Sequence, residues 1–175
     1  VLAVGGDYGL VTLHRPSNVD DAAVLARLLR VLGQISQRTP LLFPIHPRTA
    51  SRIAVAGLEG LLADSAITTI PPQGYLEMLG LMKDARLVLT DSGGIQEETT
   101  ALGVPCITLR ENTERPITVS QGTNTVVGTD VDQILACYED VMKTGGKVGR
   151  VPDLWDGMAA QRIVQVINQW AAKRP

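Results

Sequence analysis

Two hydrophobic rhythms alternate along the chain with little between them. "YGLVTLH" (Tyr8–His14), "PLLFPIH" (Pro40–His46), "AITTI" (Ala66–Ile70), "RLVLT" (Arg86–Thr90) and "VPCITL" (Val104–Leu109) are short, apolar-rich runs that predict strands, and a last short strand is predicted near Thr125–Val127. Asp20–Arg38 instead places Val24, Leu25, Leu28, Leu29, Leu32 and Ile35 at helical spacing, with Asp20 and Asp21 suited to its N-terminus. Helices are also predicted around Ala50–Ala56, over Tyr75–Ala85, over "IQEETTALG" after the fourth strand, over Val131–Thr144 and over Trp155–Ala171. "TGGKVGRVP" between the last two reads as a glycine-rich surface loop. Strands joined by helical crossovers form right-handed βαβ units in a parallel sheet. Nearly continuous apolar strands fit a sheet covered on both faces. The predicted fold is α/β, a Rossmann-like doubly wound parallel sheet, whose ligands bind at the carboxyl ends of the strands.

Composition narrows the function classes. At 175 residues, 45% of them hydrophobic, the chain suits one domain with a substantial aliphatic core. A formal net charge of -2 with scattered basic residues gives no electrostatic case for nucleic acid or an anionic membrane. Aromatic residues at 3% offer no base-stacking platform. Cys106 and Cys137 fit no metal spacing, and no metal or cofactor is expected. Two separate cysteines without a signal peptide suggest a reducing cytoplasm, and no apolar run approaches a membrane span. The chain begins without Met, almost directly in a strand pattern, as a domain cut from a longer protein would.

The stretch "LVLTDSGGIQEETTALGVP" (Leu87–Pro105) carries the candidate chemistry. After its strand the chain runs Asp91-Ser92-Gly93-Gly94 into a helix. Two glycines let the backbone approach a ligand, Ser92 suits an N-cap, and a helix start offers free N–H groups and partial positive charge to phosphate. Glu98, further along that helix, can accept from the vicinal hydroxyls of a ribose. Phosphate and diol together specify a nucleotide. A capped helix with ordinary acidic residues reads the same on spacing alone. Glu97 reads as a solvated surface residue. Asp91 reads as a residue that orders its own loop through local backbone bonds.

"LTDSGGIQEETTALGVPCITLRENTERPITVSQGTNTVVGTD", with "PPQGYLEMLGLM" and "VTLHRPSNVD" upstream, resembles the C-terminal half of non-hydrolysing UDP-N-acetylglucosamine 2-epimerases over nearly the whole chain. That family has two Rossmann-like domains facing across a cleft, the arrangement called GT-B. The resemblance implies that residues 1–175 form the C-terminal UDP-binding domain. It implies that Ser92, Gly93 and Gly94 hold the diphosphate, that Glu98 takes the ribose hydroxyls, and that Arg115 of "TERP" pairs with the phosphates. It places Gln73 near the uracil, with Met78 where many relatives carry an aromatic, and makes His14 the catalytic residue of this half, on the diphosphate side of the sugar. The family reaction inverts C2 of the sugar by eliminating UDP and adding it back, and its main acid and base carboxylates lie on the first domain. The expected partners are therefore UDP or UDP-GlcNAc and that first domain. The isolated chain is expected to bind UDP without epimerising.

"LHRPSN" departs from the "GHRREN" of many bacterial relatives, with Pro16 and Ser17 in place of an Arg and a Glu. Activation through a second UDP-GlcNAc site is thereby in doubt, although Arg15 and His46 remain candidates for one. A structural role for His46, tying a strand end to the next loop, competes with that role, and core packing competes with base stacking for Met78. Glu114 either orients Arg115 or is simply exposed. Ile163, Val166, Ile167 and Trp170 form an apolar stripe on the closing helix, for the other domain or a second copy of the chain to cover. Other readings are the donor domain of a GT-B glycosyltransferase, a hydrolysing epimerase, and a nucleotide-sugar-binding module without catalysis.

Overall fold

The computed structural model describes residues 7–173; the opening "VLAVGG" and the last two residues lie outside the described residues. Six short parallel strands form one sheet. They are β1 (Gly9–Thr12), β2 (Leu41–Pro44), β3 (Ile67–Ile70), β4 (Leu87–Thr90), β5 (Cys106–Thr108) and β6 (Asn124–Val126). The spatial order is β3-β2-β1-β4-β5-β6. The chain winds outward one way from β1 to β3, returns to the centre at β4, and winds the other way. β1 and β4 are thus neighbours, in the register Leu10 opposite Val88. The crevice beyond their carboxyl ends is the topological switch point, where doubly wound folds bind ligands.

Helices cover both faces. Helix α1 (Pro16–Val19) is a single turn, followed by α2 (Ala22–Ser36), α3 (Pro47–Val55), α4 (Glu59–Ala63), α5 (Tyr75–Lys83), α6 (Gly93–Leu102), α7 (Pro116–Ser120), α8 (Val131–Thr144) and α9 (Ala159–Ala171). Successive strand residues face opposite ways, so β1, β2, β3 and β4 each feed two cores. Val11, Phe43, Leu87, Leu89 and Ile107 join Leu25, Leu28, Leu29 and Leu32 of α2 and Ile134 and Tyr138 of α8. Leu10, Leu42 and Val88 join Met82 of α5 and Val104 on the other face, where Met78 and Ile95 pack. Each fully buried leucine contributes roughly 1.5–3 kcal/mol. The Tyr138 hydroxyl bonds Thr39 Oγ1, fastening α8 to the segment after α2.

The elements follow their predicted order with shorter strands. The single-turn helix α1 and the five-residue helices α4 and α7 were not anticipated; none is long enough to show a period. Helix α6 begins at Gly93, so both glycines lie inside its first turn and not ahead of it. It stops at Gly103, which takes the left-handed conformation at φ 73°. At α2, Asp21 caps by accepting from Ala23 and Val24 N–H. Asp20 instead pairs with Arg48 and Arg52 of α3. The predicted start of the closing helix at Trp155 is corrected to Ala159, after a turn in which Leu154 has φ 71°. No described helix is long and apolar enough to cross a membrane.

Candidate nucleotide site at the switch point

β1 ends in Thr12 and β4 in Thr90, and their hydroxyls meet at 2.6 Å. Thr90 Oγ1 also accepts the Ser92 N–H at 2.9 Å, which turns the chain out of β4 toward α6. Ser92 occupies the N-cap position, but its side chain makes no capping bond, contrary to the sequence expectation. The first N–H groups of α6 therefore have no side-chain acceptor, and they carry the partial positive charge of the helix terminus. A methyl at Gly94 would meet no atom within 4 Å, and one at Gly93 would only approach Glu114 Oε2 at 3.8 Å and Arg15 Nη2 at 4.0 Å. Internal packing therefore does not demand either glycine. Open approach by a ligand gives a reason for both.

A recess of about 180 Å³ opens beside this turn. Its lining includes Thr12 and His14 after β1, His46 after β2, Gln73 and Met78 at α5, and Ser92 and Ile95 at α6. The fold thus gathers five of the candidate residues, His14, His46, Gln73, Met78 and Ser92, from four separate stretches. The Gln73 amide is turned to the Pro71 carbonyl, with Nε2 donating at 2.7 Å. His46 caps α3, its Nδ1 accepting from Arg48 N–H at 3.1 Å, so it does tie a strand end to the next helix. The His14 and His46 rings lie 5.7 Å apart.

Beneath His14 is Asp91, which is fully buried. Its carboxylate accepts from the backbone N–H of His14 (3.0 Å), that of Arg15 (2.9 Å) and the side-chain amide of Asn18 (3.3 Å). Its Oδ1 lies 3.0 Å from Nδ1 of the His14 ring. Asp91 thus holds the segment after β1, not its own loop, which corrects the sequence reading. A buried carboxylate is tolerated when donors surround it. Asn18, which the sequence reading passed over, also donates to the Leu109 carbonyl at 2.8 Å and so links the turns after β1, β4 and β5.

The remaining candidates lie around the N-terminal turns of α6. Arg110 makes a two-pronged bond to Glu114, 2.8 and 2.7 Å, and Arg15 Nη2 stands 3.9 Å from the same carboxylate. Arg110, first of all, holds the Glu114 carboxyl down at about 2, from the ordinary 4.5, and Arg15 adds to the effect. The Glu114 carboxylate therefore orients Arg110, while its carbonyl accepts from Arg115 Nη1 at 3.3 Å. Arg115 Nε lies 3.0 Å from Glu97, so Glu97 is an ion-pair partner and not a freely solvated residue. Glu98 lies outside the recess, in a shallow depression with Glu97, Ala101 and Trp155. Partial burial, then the neighbouring Glu97, pushes its carboxyl up. Below them the fully buried Gln96 accepts from Thr113 Oγ1 (2.5 Å) and Asn124 Nδ2 (3.1 Å), anchoring α6 to the loop that carries Arg110, Glu114 and Arg115. The sequence signal for this anchor was a polar residue facing inward on a helix.

The sheet order and the glycine-opened helix at its switch point define a Rossmann-like domain of the GT-B type. The model of the UDP-N-acetylglucosamine 2-epimerase family matches residues 3–168, and the chain belongs to that family. It is 42% identical over 171 residues to a UDP-N-acetylglucosamine 2-epimerase of Methanococcus maripaludis, covering 96% of this chain and 46% of the relative. It is 40% identical over 135 residues, 77% of this chain and 37% of the relative, to a UDP-2,3-diacetamido-2,3-dideoxy-D-glucuronate 2-epimerase of Pseudomonas aeruginosa. The crystal structure of the Methanocaldococcus jannaschii UDP-GlcNAc 2-epimerase in complex with UDP-GlcNAc and UDP superposes with a TM-score of 0.84 at 40% identity, covering 93% of this chain and 45% of that one. The chain thus spans about half the length of these relatives or less.

Proposed function

We propose that this chain is the UDP-binding half of an enzyme that inverts C2 of a UDP-linked 2-acetamido sugar. The observation that carries the reading is the first turn of α6, uncapped by Ser92 and open at Gly93 and Gly94, at the switch point of the sheet. Its N–H groups suit the diphosphate. Glu98 takes the ribose hydroxyls, Gln73 and Met78 flank the base, and Arg115 turns from Glu97 to the phosphates, a task for which a forked guanidinium is suited. Arg15 and His46 flank the same region, and a second nucleotide-sugar contact through them is part of the reading.

The two relatives named above differ in the sugar of their names and share the UDP. A half that resembles both is suited to read the shared nucleotide, which leaves choice of sugar to residues elsewhere in the enzyme. Elimination of UDP develops charge on the diphosphate, which the α6 terminus stabilises, while His14 sits on the sugar side. The acid and base carboxylates belong to the partner domain, so this chain alone binds UDP and does not epimerise.

Calorimetric titration of the chain with UDP tests the reading, beside Glu98→Ala and Arg115→Ala. Saturable binding that both substitutions weaken is expected. A folded chain that fails to bind UDP even at millimolar concentration overturns the assignment of a preformed site to this half. Incubation with UDP-GlcNAc, followed by proton NMR of the anomeric region, is expected to show no second epimer.

A further inference from the structure

Asp91 is the least accessible charged residue near the recess, and the family reading gives it no role. Its Oδ1 lies 3.0 Å from His14 Nδ1, while the same carboxylate is pinned by the His14 and Arg15 N–H groups and by Asn18. A carboxylate oxygen at that distance tolerates an N–H and repels a lone pair. The ring cannot escape by sliding away, because its own backbone is held by the carboxylate it faces. Nε2 stands on the opposite ring edge, and His14 lines the recess. His46, 5.7 Å away, has the reverse arrangement, since its Nδ1 accepts from Arg48 N–H and its neutral ring must carry hydrogen on Nε2.

We propose that Asp91 is a positioning residue for His14, holding the ring proton on Nδ1 so that Nε2 presents a bare electron pair to the recess. The inference rests on the proposed UDP site only for what the electron pair meets. A neutral ring so held accepts a hydrogen bond or a proton from a hydroxyl or other acidic hydrogen of the bound ligand. It offers nothing to an ionised phosphate oxygen. If Nε2 takes up a proton, the buried carboxylate beneath balances the new charge, as acidic partners of catalytic histidines do. His14 is thereby an acceptor on the sugar side, and the α6 terminus remains the anion holder.

The chain has two histidines, His14 and His46, so the test needs little assignment. The complete chain, labelled with nitrogen-15 histidine and held at alkaline pH so that the rings are neutral, gives long-range proton–nitrogen correlations that distinguish the two ring nitrogens. The expected spectrum shows a pyrrole-like Nδ1 and pyridine-like Nε2 for His14, with the reverse for His46. A pyridine-like Nδ1 at His14 overturns the proposal. In a folded Asp91→Asn chain the His14 preference is expected to be lost, and an unchanged His14 pattern there also overturns the role of Asp91. The unsubstituted chain decides the tautomer whether or not the variant folds. Failure to bind UDP with the expected tautomer defeats the nucleotide reading alone, whereas UDP binding with the wrong tautomer defeats only this one.

Discussion

Gly94 separates the demands of the fold from those of a ligand more sharply than any other residue here. Nothing lies within 4 Å of where its methyl would stand, and alanine has the better helix propensity. Gly94→Ala is therefore expected to keep or raise the thermal midpoint while weakening UDP binding by about tenfold, about 1.4 kcal/mol. A loss of stability with intact binding would show that the glycine serves the fold. Sequence reading singled out this residue because its cue is local. It misread Asp91 and Glu97 because their partners are not: Asp91 meets residues more than 70 positions away, and Glu97 meets Arg115 across a strand and a loop. It passed over Asn18 and Arg110 for the same reason. A single side chain announces its chemistry, but the group it faces is chosen by the fold.

Among the elements, the loop from β5 to α7 carries a charge pairing that responds to acid. Glu114 has its carboxyl depressed in the folded chain, so its pairing with Arg110 and Arg15 stabilises above the ordinary value of 4.5 and is lost as pH falls toward about 2. The group is exposed, so the effect is a screened one. Thermal midpoints measured from pH 5 to pH 2 are expected to fall less steeply in Glu114→Gln than in the parent chain, and parallel curves would contradict the pairing. Element boundaries were legible to within two residues in α2 and α8, whose periods run for three turns or more, but the start of α9 was placed four residues early. The single-turn α1 and the short α4 and α7 were invisible, since helices of that length owe their existence to what they pack on. Helix α6 was placed two residues late because glycines normally argue against a helix interior; here they form its first turn.

For the molecule as a whole, the α/β class and the parallel sheet could be read from the alternation of elements, because each crossover obeys one handedness. The closing helix was legible as an apolar stripe but not in its surroundings: Ile163, Val166 and Ile167 are each more than half exposed on α9. Ile163→Ser with Ile167→Ser is expected to change urea stability by no more than about 0.5 kcal/mol per site, whereas Leu29→Ala in the core should cost roughly 2–5 kcal/mol. A large loss from the α9 pair would mean that the helix packs on the body in solution. The sheet order also has a kinetic side. The hydroxyls of Thr12 and Thr90 touch although 78 residues separate them, and the segment between folds into β2, β3 and the helices around them. Joining β1 to β4 closes the longest loop in the sheet, a step whose entropy must be met before its contacts form. During refolding, far-ultraviolet ellipticity should therefore recover ahead of nucleotide affinity, so that competence to bind marks the last act of folding.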